Sequence, residues 1–327
     1  ENENNYGIAF NLNRKKSDPL LQADESKKIE ELIRSSDLLI SEVTQKPVKV
    51  KPKPPFITST LQQAASTKLG FNVKRTMRTA QKLYENGLIT YMRTDAPALS
   101  PESIADARMY VETNLGEKYL TNAPRIYSSS ENAQEAHEAI RPAHRVFRSL
   151  DEVKDTLGED HSRLYDLIWK RTVASQMPPA KLKQTSITVM NQKAEFRANG
   201  QIILFPGYMK VYVESQDNEE KELENKERIL PDVKVGEVLN CQSLETESHT
   251  TKPPARFTEA SLVKALEENG IGRPSTFASI LATIVRRGYV DRKNGKLSPT
   301  YLGLAVTQLL ENHFSNLVNK EFTAKME

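Results

Sequence analysis

The stretch Gln81–Asp95, QKLYENGLITYMRTD, is the point from which the rest of the chain is read. Gln81 to Glu85 closes a helix that Gly87 ends, and Leu88–Arg93 alternates apolar and polar residues as a short strand does. Side chains of a strand alternate between its faces, so the expected strand puts Tyr91 and Arg93 on one side. A phenol is a weak nucleophile near neutral pH because its pKa is about 10. A guanidinium beside it stabilises the developing phenolate and also grips a phosphate. The pair fits attack on a phosphodiester. On spacing alone, a half-buried strand tyrosine with an exposed arginine neighbour is the commoner arrangement.

Upstream, Ser59 and Gln62 stand at capping-box spacing and open a helix that ends near Gly70. Asn72 caps the next helix, whose Val73, Met77, Ala80, Leu83 and Tyr84 keep helical spacing, with Lys74, Arg75, Arg78 and Lys82 on its remaining surface. Residues 51–55, KPKPP, break both helix and sheet and mark a domain boundary. Before them, Ile8, Phe10 and Leu12 alternate, Ser26–Ser35 is helical and Leu38–Val43 reads as a strand.

Downstream, Ser100-Pro101-Glu102 supplies an N-cap oxygen, a first-turn proline and an acid, so it opens a helix. Another helix covers Ser162–Ala174. Thr185–Val189 and Ala194–Ala198 predict a hairpin through Asn191-Gln192-Lys193, and Met209–Val213 and Val238–Cys241 are expected to continue its sheet. The acidic Asp217–Arg228 reads as an exposed loop or frayed helix. Lys252-Pro253-Pro254 is a second connector. Thr258–Asn269 and Pro274–Arg287 follow as helices split by Gly270-Ile271-Gly272, and a small hairpin turns at Asn294-Gly295.

Two further segments hold chemistry. Gln134–Pro142 (QEAHEAIRP) resembles a metalloprotease helix only superficially, because Arg141 stands where a second zinc-binding His is required. His137 is left as a phosphate hydrogen-bond donor or as an ordinary structural histidine. In the second, the Gly270–Gly272 turn feeds a helix N-terminus beside Arg273, Ser275 and Thr276, and such ends bind phosphate. With the hairpin, this helix pair fits a winged-helix DNA binder or a plain helical pair with a glycine turn.

At 327 residues the chain has room for two or three cores. Its single Cys241 excludes a disulfide framework and a cysteine zinc site. No apolar run approaches the roughly 18 residues of a membrane span. The net charge of +3 is unevenly spread: residues 51–100 hold eight Lys/Arg against two acids, and 251–301 nine against four. Residues 215–250 reverse the balance, with ten acids against four bases. Two basic blocks point to an anionic partner such as nucleic acid, although solvated helix faces give the same charge pattern. Glu1 is not an initiator methionine, so the chain is expected to be cut from a longer one.

Taken in order, LITYMRTD (88–95), AHEAIRP (136–142) and RFTEASLVKALEENGIGRPSTFASI (256–280) resemble signatures of the bacterial type IA DNA topoisomerases. The likeness runs over nearly the whole chain and is most specific from PFITSTLQQAASTKLGF (55–71) onward. It implies a multidomain α+β torus: a β-rich arch from 1–55 and 176–251, a mainly helical tyrosine-bearing domain at 56–175, and part of a winged-helix-like DNA-groove domain at 252–327. It makes Tyr91 the nucleophile that joins a 5′ phosphate, with Arg93 and His137 as its catalytic companions on that phosphate. Gln81, Glu85 and Thr90 surround the tyrosine and contact DNA, and Arg273, Thr276 and Arg287 line a single-strand groove. Ala96 stands where many relatives carry Ser, a minor departure.

The implied reaction is ATP-independent relaxation of negatively supercoiled DNA by a cytoplasmic, nucleoid-associated monomer. Magnesium is expected on an acidic N-terminal domain that does not precede Glu1, so no metal ligand is assigned here and the chain alone is expected not to relax DNA. The rivals are a decatenating relative, the corresponding part of a reverse gyrase, and a non-catalytic winged-helix DNA-binding protein.

Overall fold

The computed structural model describes residues 10–12, 23–34, 37–128, 138–144, 147–191, 194–213, 229–247, 250 and 253–327. The chain divides into two compact units, one of 1–50, 179–206 and 220–253, the other of 51–178, 207–219 and 254–327. Two of the crossings, at 50/51 and 253/254, fall on the proline-rich connectors.

The first unit is built on an antiparallel sheet. Strands β1 (Asn11–Leu12), β2 (Leu38–Val50), β3 (Ala180–Asn191), β4 (Ala194–Phe205) and β5 (Val238–Leu239) lie in the order β1-β4-β3-β2-β5, and α1 (Ala23–Arg34) precedes β2. The expected hairpin is present and runs further than the alternation suggested, with Val189 opposite Phe196 and Leu182 opposite Ile203. β2 likewise continues past Val43 to Val50, pairing with β3 throughout. Pro47 is accommodated because this part of β2 is paired to β3 on one side and to no described strand on the other. Apolar residues gather at one end: Ile40, Ile187, Val189 and Val233 are buried under Leu38, Val43, Phe196 and Leu230. Farther along, Gln45 faces Thr185 and Lys46 faces Gln184, so ladder bonds hold that stretch without a core.

The second unit is mainly helical. It contains α2 (Thr58–Leu69), α3 (Val73–Glu85), α4 (Pro101–Leu115), α5 (Leu150–Leu157) and α6 (Glu159–Ser175). After the connector come α7 (Glu259–Glu268), α8 (Phe277–Arg286), the hairpin β6 (Val290–Lys293) and β7 (Lys296–Pro299), α9 (Tyr301–His313) and α10 (Lys320–Met326). Leu61 and Ala65, Ala80 and Leu83, and Leu164 and Ile168 are fully buried at helical spacing on α2, α3 and α6. Each such Leu or Ile contributes about 1.5–3 kcal/mol. Val263, Phe277 and Leu281 bring α7 and α8 onto Val73 at the start of α3. The Glu259 carboxylate accepts the Val73 N–H at 2.7 Å, giving α3 the N-terminal acid that its own first turn lacks. Asn294 and Gly295 both take positive φ (50° and 74°), the conformation that a two-residue hairpin turn requires.

Four expectations need correction. Leu88–Arg93 is not a strand: its one described pairing is an isolated bridge from Ile89 to Pro142, because its other backbone groups bond to a helix start and a loop. Met209–Val213 does not join the sheet, and Gly207–Lys210 is a 3-10 turn instead. The buried residues there are Tyr208 and Tyr212, four apart, whereas Val213 is exposed, so the burial has a helical and not a strand period. The helix expected over Pro274–Arg287 begins at Phe277, because Thr276 and Phe277 both donate to the Arg273 carbonyl in a preceding turn. The α2 helix opens one residue before Ser59, with the Ile57 N–H donating to Thr60 Oγ1 at 3.0 Å in place of a Ser59–Gln62 box. Asp217–Arg228 lies outside the described residues. Among the described residues, no helix is long and apolar enough to cross a membrane.

Candidate active site

Three elements fix the backbone around Tyr91. Below it, α3 ends in a Schellman arrangement: Gly87 N–H donates to Tyr84 O at 2.8 Å and Leu88 N–H to Leu83 O at 2.9 Å. On one flank lies the loop 138–143. Thr90 N–H donates to Arg141 O, and Ala143 N–H donates to Leu88 O. The Thr90 hydroxyl donates to Ala139 O at 2.7 Å and accepts from Arg141 N–H at 3.0 Å. Glu138 steadies that loop, accepting from Ser100 N–H at 2.8 Å and pairing with Arg141 at 2.6 Å.

The third element is Thr58, the first residue of α2 and fully buried. Its hydroxyl reaches Met92 O (2.8 Å) and Thr94 O (3.1 Å), and it accepts from Thr94 N–H (2.9 Å). Its own N–H donates to Thr94 O at 3.0 Å. A helix N-terminus has unsatisfied N–H groups, and here the first of them holds the tyrosine loop.

Burial alternates along this loop without a sheet to cause it. Ile89, Met92, Thr94 and Ala96 are buried, while Tyr91 (46 % exposed) and Arg93 face solvent. The Tyr91 ring meets Tyr84 edge to face, with centroids 5.1 Å apart at 65°. Among the described residues, that ring is the one aromatic contact of Tyr91, and no hydrogen bond reaches its hydroxyl. Gln81 and Glu85 stand exposed on the last two turns of α3, joined by a 2.9 Å hydrogen bond. His137 lies outside the described residues, one position before Glu138.

Other tyrosines are less suited to nucleophilic work. Burial pushes the phenols of Tyr127 and Tyr165 above the ordinary tyrosine pKa, with Arg125 and Arg171 partly offsetting this at Tyr127 and the Arg148 N–H at Tyr165. Forming the phenolate that attacks phosphorus is therefore costlier at these two buried phenols than at an exposed tyrosine.

Arg273 and Thr276 stand at the start of α8 and Arg287 at its far end, apart in sequence from the tyrosine loop. Arg273 folds its guanidinium onto the carbonyls of Gly272 (2.9 Å) and Gly270 (3.4 Å). Its N–H donates to Thr276 Oγ1 at 2.7 Å. Gly272 is required twice over in this turn: its φ is 82°, and a Cβ would lie 3.0 Å from the Phe277 ring. Arg287 is exposed at the end of α8. The hairpin is tied to the start of α7 through Leu297 N–H to Phe257 O at 2.7 Å, which keeps helix pair and wing together.

Sequence reasoning missed Thr58 and Tyr84. The run Thr58-Ser59-Thr60 offered three hydroxyls at a helix start, a signal that something is capped there. Spacing could not say that the outermost one serves a loop more than thirty residues on. Tyr84 reads as one of the apolar positions of α3 at helical spacing, but it is 42 % exposed.

A family model described as DNA topoisomerase matches residues 2–327. DNA topoisomerase 1 of Synechocystis sp. is 52% identical over 284 residues, covering 86% of this chain and 31% of the relative. DNA topoisomerase 1 of Haemophilus influenzae is 45% identical over 329 residues, covering 100% of the chain and 37% of the relative. Among solved structures, full-length topoisomerase I from Thermotoga maritima superposes with a TM-score of 0.81 at 36% identity, over 98% of this chain and 52% of that one. The chain thus spans about a third of the length of these curated relatives.

Proposed function

The chain belongs to the bacterial type IA DNA topoisomerase family, and from that premise we propose that it carries the nucleophile of an ATP-independent strand-passing reaction on DNA. The observation that carries this reading is Tyr91: an exposed phenol on a loop whose backbone is fixed by Thr58, Thr90 and the end of α3, with exposed Arg93 two residues on. In the reaction, the Tyr91 oxygen attacks a backbone phosphorus and the 3′ oxygen of the DNA leaves. The phenol proton ends, by way of solvent, on the departing 3′ oxygen, which becomes a hydroxyl, and a 5′-phosphotyrosine replaces the phosphodiester. One phosphate diester becomes another, so the free 3′ hydroxyl can reverse the attack without ATP. Arg93 is proposed to hold two phosphate oxygens at once, which lowers the charge that the phenolate meets. The fixed loop supplies the positioning.

His137 is proposed as a further phosphate contact, with Gln81 and Glu85 beside the strand. Thr90, whose hydroxyl is already bonded within the protein, acts through the loop it holds. Arg273, Thr276 and Arg287 are proposed to line a single-strand groove. In domain form, 1–55 and 176–251 would make the arch, 56–175 the tyrosine domain and 252–327 part of the groove domain. The substrate would be negatively supercoiled DNA, handled by a monomer in the bacterial cytoplasm. The family implies magnesium, but the residues described here do not fit it: no three Asp, Glu, His or Cys among them come together. Glu85 is bonded to Gln81, and Glu138 to Arg141 and Ser100. No step above is routed through a metal.

The test is Tyr91→Phe in the protein that carries this chain. Relaxation and the covalent protein–DNA adduct should vanish together while DNA binding persists, since one oxygen is removed. An adduct that survives the substitution would assign the chemistry to another residue. A non-catalytic winged-helix protein, which explains α7, α8 and the hairpin equally well, forms no adduct in either version.

A further inference from the structure

The exposed surface of α3 carries four cations, and they are not equivalent. Arg75 is engaged by Asp160, Nη2 to Oδ1 at 2.6 Å and Nε to Oδ2 at 2.8 Å, and its guanidinium lies over the Phe71 ring. Lys74, Arg78 and Lys82 are exposed and, among the described residues, have no side-chain hydrogen bond or ion pair. They recur every fourth residue, so they stand one above the next along the helix, about 6 Å apart along its axis. The row ends in the turn that presents Tyr84 and leads to Tyr91.

Helix stability accounts for Lys82, in the last turn, but not for the row as a whole. A helix dipole is positive at its N-terminus, and Lys74 sits in the first turn against it. Like charges at four-residue spacing also repel each other. A polyanion whose charges recur regularly relieves both effects. We propose that Lys74, Arg78 and Lys82 form a binding track for the backbone of single-stranded DNA, contacting successive phosphates of the strand that reaches Tyr91. This rests on Tyr91 being the nucleophile. Single-strand sites combine such cations with aromatic rings on which bases stack, and exposed Tyr84 lies at the end of the row. The contact is sequence-independent and falls with added salt.

Fluorescence anisotropy of a labelled oligothymidylate, titrated with the protein at several KCl concentrations, tests it. Replacing all three cations (Lys74→Gln, Arg78→Gln and Lys82→Gln) should weaken binding roughly 10- to 100-fold at low salt. The slope of log affinity against log salt should fall by about 2, close to 0.7 for each phosphate that the protein no longer neutralises. Arg75→Gln, which removes the same charge from the same helix, should leave the slope unchanged. A wild-type slope in the triple variant overturns the track. A slope change confined to a duplex of equal length, run in parallel, overturns the single-strand assignment. Tyr91→Phe serves as the separating control: it should keep the wild-type slope and form no adduct. An adduct there sinks the nucleophile reading, whatever the triple variant does.

Discussion

Two turns of the helical unit carry most of the candidate residues, and they are held in opposite ways. The tyrosine loop after α3 bonds to Thr58, 34 residues before Met92 and 36 before Thr94, and to residues 139 and 141, at separations of 49 and 51 from Thr90. The turn between α7 and α8 closes mainly on itself: Arg273 and Thr276 exchange three hydrogen bonds at a separation of three residues, with one bond from outside, Gly272 N–H to the Glu327 carboxylate. A loop held from a distance can show a side chain to solvent while its backbone stays fixed, which nucleophilic attack requires. A turn closed mainly by its own residues depends less on the rest of the fold.

The largest effect should therefore come from Thr58→Val. Valine keeps the shape but removes a hydroxyl that serves Met92 O, Thr94 O and Thr94 N–H in a fully buried position. Leaving buried backbone groups unpartnered costs about 1–3 kcal/mol each, and Thr94 O keeps the Thr58 N–H, so the two remaining groups give a total of about 2–6 kcal/mol. Urea unfolding measures it. Misplacing the tyrosine by even an ångström lowers the cleavage rate on the order of 100-fold, which single-turnover adduct formation would read. A variant with wild-type stability and rate would show that the loop is not held from Thr58.

The same contrast explains how much of the molecule is legible in its sequence. Asn72, Gly70, Ser100 and Asn294-Gly295 act over one to four residues, and each reads correctly from its neighbours: Asn72 Oδ1, for instance, accepts the Arg75 N–H at 2.7 Å. The β3–β4 hairpin is legible for the same reason, since its alternation and turn are local. The tyrosine loop reads falsely as a strand because its burial alternates like one, and alternation does not reveal which partner causes it. Met209–Val213 fails in reverse: the apolar alternation is real, but Tyr208 and Tyr212 take the interior. Of the candidate site, the shared exposure of Tyr91 and Arg93 is legible because two residues apart is a local relation. Their support by Thr58 is not.

A smaller effect should sharpen the comparison at the ring that touches the proposed nucleophile. Tyr84→Phe keeps the edge-to-face contact with Tyr91, whereas Tyr84→Ala removes it. Such a pair contributes about 0.5–1.5 kcal/mol, which corresponds to about a 2- to 12-fold slower adduct formation for the alanine variant alone. Saturating oligonucleotide separates this rate from any change in binding. Equal slowing by Phe and Ala would point to the Tyr84 hydroxyl and remove the ring from the account.

The smallest effect is expected at Thr276→Val, the counterpart of Thr58→Val in the self-closed turn. Thr276 accepts the Arg273 N–H and donates to the Arg273 carbonyl, so valine removes two hydrogen bonds. Thr276 is only part-buried, however, and its backbone N–H still reaches the Arg273 carbonyl. Water can replace the hydroxyl at the Arg273 N–H, so the destabilisation should stay near that of a single hydrogen bond, about 0.5–1.5 kcal/mol. No charge is removed, so the salt slope for single-stranded DNA should not move. Arg287→Gln, at an exposed cation of the same proposed groove, should lower that slope by about 0.7. The two Thr→Val variants thus make one experiment: equal destabilisation at 58 and 276 would mean that distance of support is not what separates the two turns. A several-fold larger destabilisation at 58 would mean that the fixity of the tyrosine loop resides in α2.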